Sequence, residues 1–229
     1  MIEYLFLDLD DTILDFGAAE HAAIKATFRE MGLEPTDELL GRYIEINRSC
    51  WRRLELGELQ RDEVLTKRFE LLYGELGFNG SPEKTQELYG YKLSLEHPFL
   101  EGAPELLEKL YGSYKMYIAS NGIALVQDRR IADTGIAKYF DDIFISQRIG
   151  YNKPSKEFFD ICFSKIEGFD PKKAIIVGDS LTSDIAGGIA AGILTCYFNP
   201  HGQPNTTGII PDYEFSSLDD LPALLRAIK

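Results

Sequence analysis

The chain has 229 residues, 45% of them hydrophobic, which suits one α/β core carrying an insertion or two small domains. A formal net charge of −13 argues against DNA, RNA or an anionic membrane as partner, although a locally positive pocket can still hold a small phosphate ester. Cys50, Cys162 and Cys196 are odd in number, far apart and not in metal-binding spacing, which favours a reduced, cytoplasmic compartment over a disulfide framework. There is no leader-like pattern and no window of about 18 apolar residues, so no membrane anchor is expected.

In chain order, the apolar run Tyr4 to Leu7 reads as a strand. A helical block follows from about Gly17 to Glu96. Breaks at Gly32, Gly57, Gly77-Phe78 and Ser81-Pro82 divide it into about four helices. After Pro98 the pattern alternates: a helix from Pro104 to Tyr111, then strands near Met116–Ala119, Ile143–Ser146, Ala174–Val177 and Thr195–Phe198. Such alternation predicts a Rossmann-like, mostly parallel α/β sheet with helices on both faces and a site at the carboxyl ends of its strands. The expected division is a core of 1–14 and 98–229 with an inserted α-helical cap of 15–97. No internal repeat or low-complexity tract interrupts it, and Gly202–Gly208 reads as a mobile surface loop.

Four clusters near the ends of the apolar runs carry the chemistry. They are Asp8-Leu9-Asp10-Asp11-Thr12, Ser120-Asn121-Gly122, Lys153-Pro154, and Gly178-Asp179-Ser180 with Asp184. Each alone is ordinary turn chemistry, whereas their joint occurrence describes a phosphoryl-transfer site. Strand residues two apart share a face, so Asp8 and Asp10 leave the strand together while Leu9 points away. Asp8 is then the expected nucleophile and Asp10 the acid/base that protonates the leaving alkoxide and later activates water. Unit charges about 4 Å apart repel by roughly 4 kcal/mol at an effective dielectric of about 20, so a carboxylate attacking a phosphate dianion needs cations. Lys153 is one, and a hard divalent ion on Asp8, Asp179 and a backbone carbonyl is the other. The Ser120 hydroxyl and the backbone N–H groups of Asn121-Gly122 are placed to hold phosphoryl oxygens, with Gly122 allowing close approach.

With these residues the chain resembles the haloacid dehalogenase superfamily of phosphatases across almost its whole length. The resemblance implies Asp8 as nucleophile, Asp10 as acid/base that also gives its backbone carbonyl to Mg2+, Asp179 completing the metal site, and Asp184 orienting Lys153 or a metal-bound water. Gln127 and Arg130 after Ser120-Asn121-Gly122, then Tyr139-Phe140-Asp141, Gly150-Tyr151-Asn152-Lys153-Pro154 and Thr195-Cys196-Tyr197-Phe198-Asn199-Pro200 are similar to the bacterial pyrimidine 5'-nucleotidases that act on non-canonical nucleotides. The implied partner is a pyrimidine nucleoside monophosphate. A sugar-phosphate phosphatase, a phosphomutase and a non-catalytic nucleotide-binding regulator stay open as alternatives, while the intact acid set argues against a dehalogenase.

Specificity is expected in the cap. Leu40, Tyr43, Ile44, Asn47, Cys50, Trp51 and Leu54 form one helical stripe, which reads either as buried core with a satisfied Asn47 or as a base site in which Trp51 stacks and Asn47 bonds the base edge. Thr12 is expected as a local partner of Asp10, and Asp11 should point away from the paired acids. Asp141-Asp142 read as solvated turn residues. Arg52-Arg53 and Arg129-Arg130 read as solvated helix faces, and His21, His97 and His201 match no catalytic spacing.

Overall fold

Tyr4-Leu5-Phe6-Leu7 has no polar residue because it forms the middle strand of a sheet buried on both faces. The computed structural model describes residues 1–228. In it six parallel strands lie in the order β3-β2-β1-β4-β5-β6. They are β1 (Tyr4–Leu7), β2 (Lys115–Ser120), β3 (Asp142–Ile145), β4 (Ala174–Gly178), β5 (Leu194–Phe198) and β6 (Tyr213–Phe215). Leu5 pairs with Met116 on one side and with Ile175 on the other. The chain thus steps outward from β1 in one direction and then from β4 in the other, leaving a switch point between them.

Alternation along β1 divides the core in two. Leu5 and Leu7 join Met116, Ile118, Ile175 and Val177 on one face, closed by α5 (Ala103–Leu110), α6 (Ala124–Thr134) and α10 (Leu221–Ala227). Tyr4 and Phe6 face the other way, into an aromatic layer with Tyr117, Phe144, Phe158 and Phe159. Phe158 and Phe159 come from α8 (Lys156–Ser164), while the short α7 (Ser146–Ile149) follows β3 and α9 (Ala186–Ala191) precedes β5. Helices therefore cover both faces, as the alternating pattern requires.

The described residues separate into two compact units, one of Met1–Phe16 with the chain from His97 onward, the other Gly17–Glu96. The second is built from α1 (Phe16–Glu30), α2 (Asp37–Glu55), α3 (Arg61–Leu76) and α4 (Pro82–Ser94). Local chemistry sets their ends: Thr36 Oγ1 accepts from Leu39 N–H at 3.2 Å, Gln60 and Glu63 form a capping box, and Gly77 ends α3 with φ 62°. Inside, Tyr43 stacks on Phe69 at 5.5 Å between centroids and meets Phe28 edge-on at 6.0 Å. Among the described residues no helix is long and apolar enough to cross a membrane.

In the first unit the segments leading into and out of Gly17–Glu96 pair with each other. Asp15 N–H donates to Pro98 O at 2.9 Å, Leu100 N–H to Ile13 O at 3.0 Å, and Leu14 bridges Phe99 antiparallel.

The sequence reading omits β6. Only three residues long, with Glu214 exposed in its middle, it is too short to register as a strand from its own sequence. Its start is fixed instead by Asp212, whose Oδ2 accepts from the N–H and the hydroxyl of Thr195 at 2.9 and 2.8 Å. Residues 202–208 are exposed and irregular.

Gly188 in α9 is a packing requirement. A Cβ there would lie 2.6 Å from Ile176 Cγ2 and 2.7 Å from Thr195 Cγ2, both on fully buried strand residues. Alanine gains about 1 kcal/mol of helix propensity, but overpacking costs up to about 3 kcal/mol, so Gly188→Ala should lose about 2 kcal/mol. A urea titration should show the lower midpoint, and an unchanged midpoint would mean that the sheet gives way at no cost.

Candidate active site

The backbone at the end of β1 stays in the sheet for one more residue, with Asp8 N–H donating to Val177 O at 2.9 Å, and then turns. Asp11 makes the turn with φ 55°, a left-handed conformation uncommon outside glycine, and its Oδ1 accepts from Phe16 N–H at 2.9 Å. Leu9 is fully buried, so Asp8 and Asp10 flank it on the opposite side. Asp11 is thus engaged at the start of α1 and takes no part in the acid cluster through its Oδ1.

Lys153 is buried with its ammonium between three oxygens. It donates to Asp8 Oδ1 and Asp184 Oδ1, each at 2.6 Å, and to the carbonyl of Ala119 at the end of β2. Asn121 locks the backbone of Lys153 from both sides: its Oδ1 accepts from Lys153 N–H at 2.8 Å and its Nδ2 donates to Lys153 O at 2.9 Å. The Asn121 side chain is therefore a clamp on the lysine. Asp184, on the wide helical turn Leu181–Ile185, also accepts from Ser180 N–H at 3.1 Å through Oδ2. Gly178 makes this possible, because a Cβ there would stand 2.2 Å from Asp184 Oδ2.

Asp8, Asp179 and Asp184 offer carboxylate oxygens that lie within 4.8 Å of one another. One ammonium cannot balance three carboxylates. Burial raises the Asp8 pKa from 3.8 to about 8, with Lys153 opposing and Asp184 and Asp10 reinforcing. Burial likewise raises Asp179, with Asp8 and Asp184 adding to it. For Lys153 burial acts downward, but Asp184 and Asp8 outweigh it and hold the ammonium protonated. A surplus of negative charge on all-oxygen donors fits a hard divalent cation such as Mg2+.

Asp10 sits in a different environment. Arg130 Nη1 donates to its Oδ1, and Gln127 Nε2 donates to its Oδ2 at 2.6 Å. Arg130 is fully buried, which corrects the solvated-face reading of Arg129-Arg130: only Arg129 is exposed, beside Asp133. The signal was available in α6, where Val126, Gln127, Arg130 and Ile131 fall on one helical face and all four are buried. Thr12 is corrected too. Its Oγ1 is buried without a hydrogen-bond partner among the described residues, and the Asp10 oxygens are bonded instead by Arg130 and Gln127.

Ser120 is buried at the end of β2 and accepts two hydrogen bonds, from Gly122 N–H at 3.1 Å and Gln127 Nε2 at 3.0 Å. Both lone pairs are used, so its hydroxyl proton is the part left to meet a substrate oxygen. Of the remaining candidates, Asn47 is buried in the helical unit, donating to Glu20 and accepting from Arg68 Nη1 at 2.7 Å, and Trp51 is half-buried. Arg52 is exposed and Arg53 pairs with Glu58 at 3.1 Å. Asp142 opens β3, and Asp141 Oδ2 accepts from Met116 N–H at 2.9 Å.

Residues 2–192 match the family model described as haloacid dehalogenase-like hydrolase. The chain belongs to that family. Among its relatives are the HAD-hydrolase YfnB of Bacillus subtilis, 39% identical over 97% of this chain and 94% of that protein. Pyrimidine 5'-nucleotidase PynA of Streptococcus pneumoniae is 36% identical over 96% and 93%, and pyrimidine 5'-nucleotidase YjjG of Escherichia coli 31% identical over 97% of each. A crystal structure of YfnB bound to magnesium superposes with a TM-score of 0.94 at 38% identity, covering 98% of both chains. The L-2-haloacid dehalogenase of Xanthobacter autotrophicus, 17% identical with a TM-score of 0.79 over the full length of both chains, shares the fold.

The acid surplus has a pH signature. A carboxyl whose folded-state pKa is raised stabilises fully below its ordinary pKa and loses that contribution as pH rises through the folded value, about 8 for Asp8. In chelator, the melting temperature should fall from about pH 4 to about pH 8 and level off above that, and Mg2+ should restore more at the alkaline end. Asp8→Asn should flatten this slope; an unchanged slope would locate the titration elsewhere.

Proposed function

We propose that this chain is a Mg2+-dependent phosphoric monoester hydrolase acting on nucleoside 5'-monophosphates, with pyrimidines preferred, through an aspartyl-phosphate intermediate. The observation that carries the chemistry is the contrast between two carboxylates two residues apart: Asp8 against a buried ammonium, Asp10 held by Arg130 and Gln127. Pairs of acids in different surroundings divide nucleophile and acid/base roles between them. The substrate class is supported by the two pyrimidine 5'-nucleotidases that match nearly the whole chain.

In the first half-reaction an Asp8 oxygen attacks phosphorus, the ester P–O bond breaks, and the leaving oxygen takes a proton from Asp10. In the second, Asp10 takes a proton from water, the resulting hydroxide attacks phosphorus, and inorganic phosphate leaves with Asp8 restored. The Ser120 hydroxyl holds a phosphoryl oxygen, and Lys153, whose three N–H bonds go to Asp8, Asp184 and the Ala119 carbonyl, lends its fixed positive charge beside the phosphoryl group. Mg2+, assigned to Asp8, Asp179 and the Asp10 backbone carbonyl, supplies when bound the positive charge that offsets repulsion between carboxylate and phosphate dianion. Asn47, committed to Glu20 and Arg68 in the buried interior, follows the core reading, which leaves the half-buried Trp51 as the candidate for base selection in the helical unit.

A phosphate-release screen with Mg2+ and with chelator tests both levels. Uridine and thymidine monophosphates should be hydrolysed faster than adenosine monophosphate or sugar phosphates, and only with Mg2+. Preference for sugar phosphates would overturn the nucleotide assignment, and full activity in excess chelator the metal assignment. Asp8→Asn should abolish turnover in a folded protein, while Asp10→Asn should cost on the order of 10²–10⁴-fold. Near-normal turnover in Asp8→Asn would remove the aspartyl-phosphate.

A further inference from the structure

The buried guanidinium of Arg130 is hard to explain by packing. Its neighbours on the buried face of α6 include Val126 and Ile131, and an apolar side chain would fill the position without the penalty of burying a charge. What the arginine gains is Asp10, whose side chain is 25% exposed while that of Arg130 is 0% exposed. A fully buried cation thus serves a partly exposed acid, the reverse of what stability alone would select.

Gln127 closes the arrangement. Its oxygen accepts from Arg130 Nη1 at 2.9 Å, and its amide nitrogen donates both to Asp10 Oδ2 at 2.6 Å and to Ser120 Oγ at 3.0 Å. Two hydrogens on one planar amide therefore fix the acid and the phosphate-facing hydroxyl relative to each other. Independently, Gly122 is shaped to seat this amide: a Cβ there would stand 2.3 Å from Gln127 Nε2, and the Gly122 N–H occupies the other lone pair of Ser120 Oγ. Each Asp10 oxygen keeps one lone-pair direction that neither donor uses, and the transferred proton must travel along it.

We propose that Arg130 and Gln127 are positioning residues that aim the Asp10 carboxylate and lock it in register with the Ser120 hydroxyl. They touch no reacting atom and act through Asp10. The inference rests on the acid/base role of Asp10 given above.

Arg130→Lys and Gln127→Met separate this from a merely structural role, each made alone and in an Asp10→Asn background, with folding verified by circular dichroism. The readout is kcat/KM, which reports the first half-reaction, for an activated aryl phosphate and for an alkyl phosphate with a poor leaving group. Each single variant should lose about 10- to 100-fold on the alkyl ester and clearly less on the aryl ester, because only the former needs a well-aimed proton. In the Asp10→Asn background the selective loss on the alkyl ester should disappear, since there is no longer a proton to aim, leaving only what Gln127→Met costs both esters through Ser120. Equal losses on both esters, or an alkyl-selective loss that persists without Asp10, would overturn the inference. If Arg130→Lys fails to fold, the neutral Gln127→Met decides alone. Asp10→Asn losing equally on both esters would overturn the acid/base reading and the inference with it. A selective loss in Asp10→Asn with none in Gln127→Met would overturn the inference alone.

Discussion

The ammonium of Lys153 holds together parts of the chain that lie far apart in sequence. From one buried point it bonds the end of β1 through Asp8, the end of β2 through the Ala119 carbonyl, and the turn after β4 through Asp184. Removing a single partner from such a cluster leaves an uncompensated buried charge, which costs several times what an exposed pair is worth. The lysine is also held from outside, with Asn121 gripping its peptide on both sides. Rigid backbone positioning and charge concentration are here one device.

The sheet explains why these groups meet. β1, β2 and β4 are parallel neighbours, so their carboxyl ends emerge together at the switch in strand order. Two residues per strand end then suffice to bring Asp8, Ser120 and Asp179 to one edge, and the glycines at 122 and 178 let side chains from later turns close against that edge. The contrast between Asp8 and Asp10 has the same origin. Residues two apart share a direction, but the first remains beside β4 while the second has already entered the turn, within reach of α6.

Most of the core strands were legible because buried parallel strands are short, continuous apolar runs, and each acid cluster follows one of them. β6 was not, since pairing and the Asp212–Thr195 bonds define it more than its own composition does. Arg130 was misjudged for a similar reason. A charged residue is ordinarily solvated, and only the helical face it shares with Val126 and Ile131 reveals burial; its partner lies 120 positions away. Thr12 shows the converse error: closeness in sequence suggested a bond to Asp10, whereas the donors on Asp10 come from far along the chain. The helix count of Gly17–Glu96 could be read from its glycines and caps, whereas the Glu20–Asn47–Arg68 bonds join three different helices and have no local signature.

The paired segments Ile13–Asp15 and Pro98–Leu100 have a consequence for the history of the fold. They tie the two chain crossings together inside the first unit by their own backbone bonds, whatever chain lies between them. Loop-closure entropy rises only with the logarithm of loop length, by about 0.6 kcal/mol per doubling. To the sheet, Gly17–Glu96 is one long loop whose length hardly matters. A core of this kind can keep its chemistry while the intervening segment is enlarged, replaced or shortened, and so can be recruited to new substrates without being rebuilt.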